Sequence, residues 1–156
     1  KAKLKRNMAA NNGTNGFEIT GSAFGGTLTK NTSISNGERG YVITGTKSKM
    51  TKNSAVANGD SGIHASNGSQ IKIIKNISYG NGVDGITLLG SENKLIRNRT
   101  IGNTEIGINV SATDSVIKAS TAFANGVNDL EDTSSGCDNN KWVRNIFRSS
   151  NASCIQ

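Results

Sequence analysis

An asparagine that returns every 22 to 24 residues constrains this chain more than any other feature in it. With Asn53 as reference, it recurs at Asn7, Asn31, Asn76 and Asn98, with Ser120 in the sixth place; the steps are 24, 22, 23, 22 and 22 residues. Five residues after each reference stands another asparagine: Asn12, Asn36, Asn58, Asn81, Asn103 and Asn125. Nine after stands glycine, at Gly16, Gly40, Gly62, Gly85 and Gly107, with Asp129 in the last copy. Asn and Gly tolerate left-handed backbone angles better than other residues, so these columns are expected to mark turns.

Apolar columns run between the turns. Three residues before the reference come Leu4, Leu28, Met50, Ile73, Leu95 and Ile117. Three after it come Ala10, Ile34, Val56, Tyr79, Ile101 and Phe123, and ten after it Phe17, Tyr41, Ile63, Ile86, Ile108 and Leu130. With 33% hydrophobic residues overall, six out of six in one column arises by chance roughly once in 700. That low fraction, with 4% aromatics, nineteen glycines and no proline, would by itself point to disorder. The periodicity overrules it.

A repeat of this length, built from short period-2 segments and Asn/Gly corners, predicts a solenoid of parallel strands. Each coil forms one rung about 4.8 Å from the next, so six rungs of 22–24 residues make a rod roughly 30 Å long. The general right-handed preference of parallel crossovers sets the expected hand. Asn7, Asn31, Asn53, Asn76 and Asn98 are expected to stack as an internal hydrogen-bonded ladder that supplements a narrow apolar core.

The rung opening Met50-Thr51-Lys52-Asn53 and the corner Asn58-Gly59-Asp60-Ser61-Gly62-Ile63, repeated from residue 4 to about 130, resemble those of right-handed parallel β-helix repeat proteins. These form the pectate-lyase-like superfamily of carbohydrate-acting and NosD-like proteins. The resemblance implies the fold. It leaves activity open, since such proteins include lyases, hydrolases, epimerases and non-enzymes. The NTD, DD and GHG signatures of polygalacturonase-like members are absent.

Residues 1–130 are therefore read as β-helix rungs and 131–156 as a C-terminal cap of the kind seen in many such proteins. The latter stretch holds one more rung opening, Trp142-Val143-Arg144-Asn145, and both cysteines, Cys137 and Cys154. A disulfide between them would close a 17-residue interval; two reduced, buried thiols are the alternative. Pairing is the expectation, and it favours a secreted, cell-surface or periplasmic location. No apolar run is long enough to span a membrane, and no signal-like stretch opens the chain. The opening KAKLKRN lacks a comparable cap, so further rungs or another chain are expected to cover that end.

The stretch Gly59-Asp60-Ser61-Gly62, with the single histidine His64 three residues past Ser61, has the look of a serine protease nucleophile. In the other rungs the same corner reads NGTNG, NGERG, NGVDG, NTEIG and NGVND. The serine is thus expected to be a solvent-facing turn residue, and no catalytic residue is assigned. The glycosylation-type triplets at Asn31, Asn76 and Asn98 all begin at the ladder asparagine and are read as structural. One His, two Cys and two Met offer no transition-metal cluster, which argues against copper handling. Glu38, Asp60, Asp84 and Glu105 are read as an acidic corner row, chiefly a solvated edge, with weak calcium binding as the alternative.

Just before the reference asparagine come Arg6, Lys30, Lys52, Lys75 and Arg97, then Ala119, then Arg144 in the last opening. This position is expected to face outward. A partial second column, four before the asparagine, holds Lys3, Lys49, Lys72 and Lys94. Stacked like charges repel, so a ladder that keeps them serves edge protection or a track for a polyanion. With a net charge of +7, an acidic polysaccharide is the expected partner. Nucleic acid is not, because no aromatics interleave with the basic column to stack on bases. The leading expectation is a non-catalytic segment that binds acidic polysaccharide. The alternatives are a lyase, epimerase or hydrolase with its site on upstream rungs, and a structural rod. Ice binding is not expected, because no flat Thr-x-Thr ladder recurs.

Overall fold

Each turn of the chain lays one short strand into each of three parallel sheets. The computed structural model describes residues 2–21 and 25–156. Sheet A stacks Lys3–Lys5, Thr27–Thr29, Lys49–Thr51, Lys72–Ile74, Lys94–Ile96, Val116–Lys118 and Lys141–Val143. Sheet B stacks Met8–Ala10, Thr32–Ile34, Ser54–Val56, Ile77–Tyr79, Arg99–Ile101 and Thr121–Phe123. Sheet C stacks Phe17–Ile19, Tyr41–Ile43, Ile63–Ala65, Ile86–Ser91, Ile108–Thr113 and Leu130–Asp132. Every pairing is parallel and offset by one repeat, as in Leu28↔Met50↔Ile73↔Leu95. The molecule is a right-handed parallel β-helix of about six turns.

Strands of three residues leave little room for alternation. In sheet A only the central residue points inward, placing Leu28, Met50, Ile73, Leu95 and Ile117 at zero exposure. In sheet C the two flanking residues point inward, bringing Tyr41, Ile43, Ile63, Ile86, Leu88 and Ile108 against them. Sheet B differs from the apolar pattern read along the chain. Its inward column is small or polar, with Ser33, Ala55, Ser78, Thr100 and Ala122 fully buried. The apolar column Ile34, Val56, Tyr79, Ile101 and Phe123 lies on its outer face, with Tyr79 52% exposed. Two asparagine columns flank sheet B inside the coil, and they leave room only for small side chains between them.

The turns also differ from expectation in a way that matters for the surface. The left-handed residue is not the ladder asparagine but the residue before it. Arg6, Lys30, Lys52, Lys75, Arg97, Ala119 and Arg144 have φ between 51° and 59°. At the second corner Asn11, Ser35, Ala57, Gly80, Gly102 and Ala124 are left-handed too, with φ between 50° and 62°. Each such residue bends the chain outward, and the asparagine that follows turns its side chain in. Asn31, Asn53, Asn76 and Asn98 are 1–2% exposed.

The asparagines join successive rungs. The Asn76 Oδ1 accepts from the Asn53 backbone N–H at 2.8 Å and from Asn53 Nδ2 at 3.0 Å. The Asn76 Nδ2 donates to the Met50 carbonyl and to Asn98 Oδ1. The same pattern repeats from Asn7 to Asn98, after which Ser120 Oγ and Asn145 Oδ1 accept in turn. A second ladder runs from Asn12 to Asn125 and ends on Asp129. Asp129 stands in the glycine column because the ladder needs a final acceptor; its Oδ1 takes the Asn125 Nδ2 at 2.9 Å and its Oδ2 the Arg148 N–H. The glycines of that column have no positive φ. They are glycines because the rungs touch there: a Cβ on Gly62 would run into Ser78 Oγ, and would lie 2.7 Å from Asn81 Nδ2.

Beyond residue 130 the chain keeps to the coil. Lys141–Val143 extends sheet A, Ile146 bridges to Thr121, and Ser150 bridges to Leu130. Trp142 continues the apolar column of sheet A, donating its indole N–H to buried Asp132 at 3.0 Å. Ile155 then tucks into the core. Cys137 and Cys154 form a disulfide across this end, with Cα atoms 6.5 Å apart.

Asn76→Ala leaves the Asn53 N–H without its acceptor and the Asn53 side-chain amide with only the Leu28 carbonyl in a dry interior, so it should cost roughly 2–3 kcal/mol of stability, read as a lower urea midpoint. Replacing Cys137 and Cys154 together by serine should cost about 3 kcal/mol by releasing the 17-residue loop. The same denaturation curves check it.

Candidate functional site

The first corner of the coil, between sheets A and B, carries Arg6, Lys30, Lys52, Lys75 and Arg97 on five consecutive rungs. All five are exposed. They do not lie on a strand face: the strand ends one residue earlier, and each cation occupies the left-handed corner position itself. Successive corners repeat at the rung spacing of about 4.8 Å. The row lapses at Ala119 and resumes at Arg144. The N–H of each corner residue bonds to the next rung, as Lys52 to the Ile74 carbonyl and Lys75 to the Ile96 carbonyl, so the side chain alone is left to project.

The second lysine column is aligned residue for residue on sheet A. Lys3, Thr27, Lys49, Lys72, Lys94, Val116 and Lys141 are successive Cα partners. Beside it the chain forms two shallow clefts. One, of about 350 Å³, is lined by Thr27, Lys47, Lys49, Gln70 and Lys72. The other, of about 340 Å³, shares Gln70 and Lys72 and adds Lys94 together with Glu92 and Asp114. Periodicity along the chain shows the lysine column, but the clefts arise only where the third corner, between sheets C and A, overhangs it.

The protease-like corner has a different environment from the one expected. Ser61 is 4% exposed, and its hydroxyl donates to Asp60 Oδ1 at 3.1 Å rather than to His64. Asp60 in turn pairs with Arg39, Nε to Oδ2 3.0 Å. Asp84 is also 4% exposed. It accepts from the Ile106 N–H at 3.2 Å, Thr87 Oγ1 at 2.9 Å and Asn109 Nδ2 at 3.0 Å. Neither residue merely faces solvent, because the corner folds back against the outer face of sheet C. His64 lies half-buried on that face between Val42 and Thr87. Burial lowers its pKa from 6.5 and the Arg39 charge lowers it further, against the opposing pull of Asp60 and Asp84. A serine with no bond to the imidazole is no nucleophile–base pair.

The acidic row divides as well. Main-chain bonds link Glu38 to Asp60, Val83 to Glu105 and Glu105 to Val127, and the Gly82 N–H on the Asn58 carbonyl sets Val83 beside Asp60 in the same column. Asp84 belongs to the next position inward, and Val83 separates Asp60 from Glu105. Four carboxylates are thus not brought together, and two of them are already held, Asp60 by Arg39 and Asp84 by three hydrogen bonds. Asp132, Cys137 and Cys154 also converge, but the cysteines are joined in the disulfide and offer no thiolate. The asparagines of the three glycosylation-type triplets are buried in the ladder.

Three parallel sheets, two internal asparagine ladders and an outward cationic corner define a β-helix whose interior is filled by packed side chains. The chain matches the family model described as "Right handed beta helix region" over residues 1–123 and belongs to that family. No curated protein matches it significantly. Membership supports a carbohydrate-related or structural role. No helix among the described residues is long and apolar enough to cross a membrane.

His64 supplies a pH test of this geometry. The folded state binds its proton less readily than the unfolded chain, so the unfolded state carries more protons just below pH 6.5. The stability due to this group is fully present above 6.5 and declines as the pH falls through the lowered folded value. Urea midpoints of the wild-type chain should therefore drop more steeply across that window than those of His64→Gln.

Proposed function

We propose that this chain is a non-catalytic β-helix segment of an extracytoplasmic protein that binds acidic polysaccharide through its basic corner, Arg6, Lys30, Lys52, Lys75, Arg97 and Arg144. The observation that carries this reading is conformational. A left-handed angle costs a residue with a Cβ about 1 kcal/mol or more, and Asn or Gly would occupy it more cheaply. The second corner follows that economy in part, with Asn11, Gly80 and Gly102 among its left-handed residues. The first corner never does: six of its seven left-handed residues are Lys or Arg. Charge is kept there in spite of the turn, on exposed side chains stacked against their own repulsion.

A polyanion with acidic groups spaced along its length neutralises such a row at many points at once. The Cys137–Cys154 disulfide supports an oxidising compartment, where extracellular uronates and sulfated glycans occur. The interaction is electrostatic and surface-exposed, so salt screens it strongly.

Binding to polygalacturonate should be measurable at low ionic strength and fall by more than tenfold on raising salt to several times the physiological level of about 0.15 M. The triple variant Lys52→Gln, Lys75→Gln, Arg97→Gln should lose about tenfold in affinity at low salt. No binding at low salt, or an unchanged triple variant, overturns the reading. Turnover of polyuronate by the chain overturns its non-catalytic part.

A further inference from the structure

We infer that the polyanion lies along the outer face of sheet A, straddled by two rows of cations, with one of its acidic groups seated in the cleft formed by Thr27, Lys47, Lys49, Gln70 and Lys72. This rests on the reading above and moves the ligand from the crest of the corner onto the sheet beside it.

The register of sheet A carries the inference. In three consecutive rungs the strand and its corner read Lys49-Met50-Thr51-Lys52, Lys72-Ile73-Ile74-Lys75 and Lys94-Leu95-Ile96-Arg97. The first and fourth residues of each are exposed, the second is buried, and the third is half-buried on the outer face. Two cationic rows therefore run along the axis roughly 10 Å apart, three residues' rise along a strand. Between them lies a floor of neutral side chains, Thr29, Thr51, Ile74 and Ile96. Lys5 closes this floor at one end and Lys118 at the other, each in the same register column. The uncharged floor is thus four rungs, about 15 Å, long, with cations at both ends, on both flanks of the Thr51, Ile74 and Ile96 rungs, and on the corner side alone of the Thr29 rung, where Thr27 takes the other flank.

The clefts point the same way. The one beside Lys49 and Lys72 presents three ammonium groups and no carboxylate. The neighbouring one includes Glu92 and Asp114, so the anion-selective end lies toward Lys47. A floor of Thr and Ile suits the edges and C–H faces of a sugar ring. It lacks the aromatic rings on which single-stranded nucleic acid stacks its bases, since the aromatic side chain of sheet A, Trp142, is 6% exposed and points into the core.

Binding of polygalacturonate oligomers of increasing length tests this, with fully methyl-esterified polygalacturonate as the uncharged control and single-stranded DNA as a competing polyanion. Three variants are compared by titration calorimetry at low salt: Lys49→Gln/Lys72→Gln, Lys52→Gln/Lys75→Gln/Arg97→Gln, and Thr51→Glu, which sets a carboxylate on the floor. The lysine and arginine positions are exposed, and circular dichroism confirms that each variant keeps its strands. The expected result is a loss of about tenfold for each cation set, a larger loss for Thr51→Glu, no binding of the ester, and affinity that levels off once an oligomer spans the floor. If only the corner set weakens binding, the sheet A track is wrong while the corner reading stands. If neither set does, both fall. If only Lys49→Gln/Lys72→Gln does, the ligand is not straddled and the inference falls with the corner reading. Tighter binding of single-stranded DNA, lost in the same variants, overturns the glycan assignment.

Discussion

One hydrogen-bonding pattern organises this molecule: an asparagine Oδ1 that accepts both the backbone N–H and the side-chain Nδ2 of the asparagine one rung before it. Because acceptor and donors belong to the same position in successive repeats, the bond is satisfied only when rungs stack in one register. The pattern also requires the preceding residue to take a left-handed angle, so that the asparagine can turn into the coil while the chain bends around it. Buried amides left unpaired would cost more than the sparse apolar core could offset. Paired, they replace core residues that a narrow coil has no room to hold. The pattern is interrupted where an acceptor of another kind takes over, at Ser120 on one corner before Asn145 resumes it, and at Asp129 on the other.

The same constraint shapes the surface. A residue forced outward at every rung repeats its side chain at the rung spacing, so whatever chemistry it carries becomes a row along the axis. At the second corner that residue is small or polar, but at the first it is cationic in all rungs but one. The identical register that stacks Lys49, Lys72 and Lys94 on sheet A lays a second row parallel to the first. The solenoid converts a local preference for charge into a linear array, complementary in form to a linear polyanion.

Much of the fold was legible along the chain. The period, the parallel solenoid and the ladder asparagines follow from residue spacing, because every rung must repeat the same environment, while the cysteine pair is expected from a cap-like end that holds the two cysteines of the chain. Facing was less legible. The column Ile34, Val56, Tyr79, Ile101 and Phe123 looks like core and lies outside, while Ser33, Ala55 and Ser78 are the buried face of sheet B. Ser61 and Asp84 look like free turn residues and are nearly inaccessible. A left-handed residue at each corner breaks the two-residue alternation that sequence patterns rely on, and a strand of three residues is too short to re-establish it.

What the sequence determined by itself is the repeat: its length, its asparagines and glycines, and the charge kept just ahead of each ladder position. These are properties of single positions seen many times over. Only the tertiary structure decided what lies beside what. It placed Asp84 one step inward of the acidic row, set Ser61 against Asp60 instead of His64, and formed the lysine-lined cleft between the third corner and sheet A. Those relations depend on how three corners fold the rung in cross-section, and the period along the chain is the same for any cross-section.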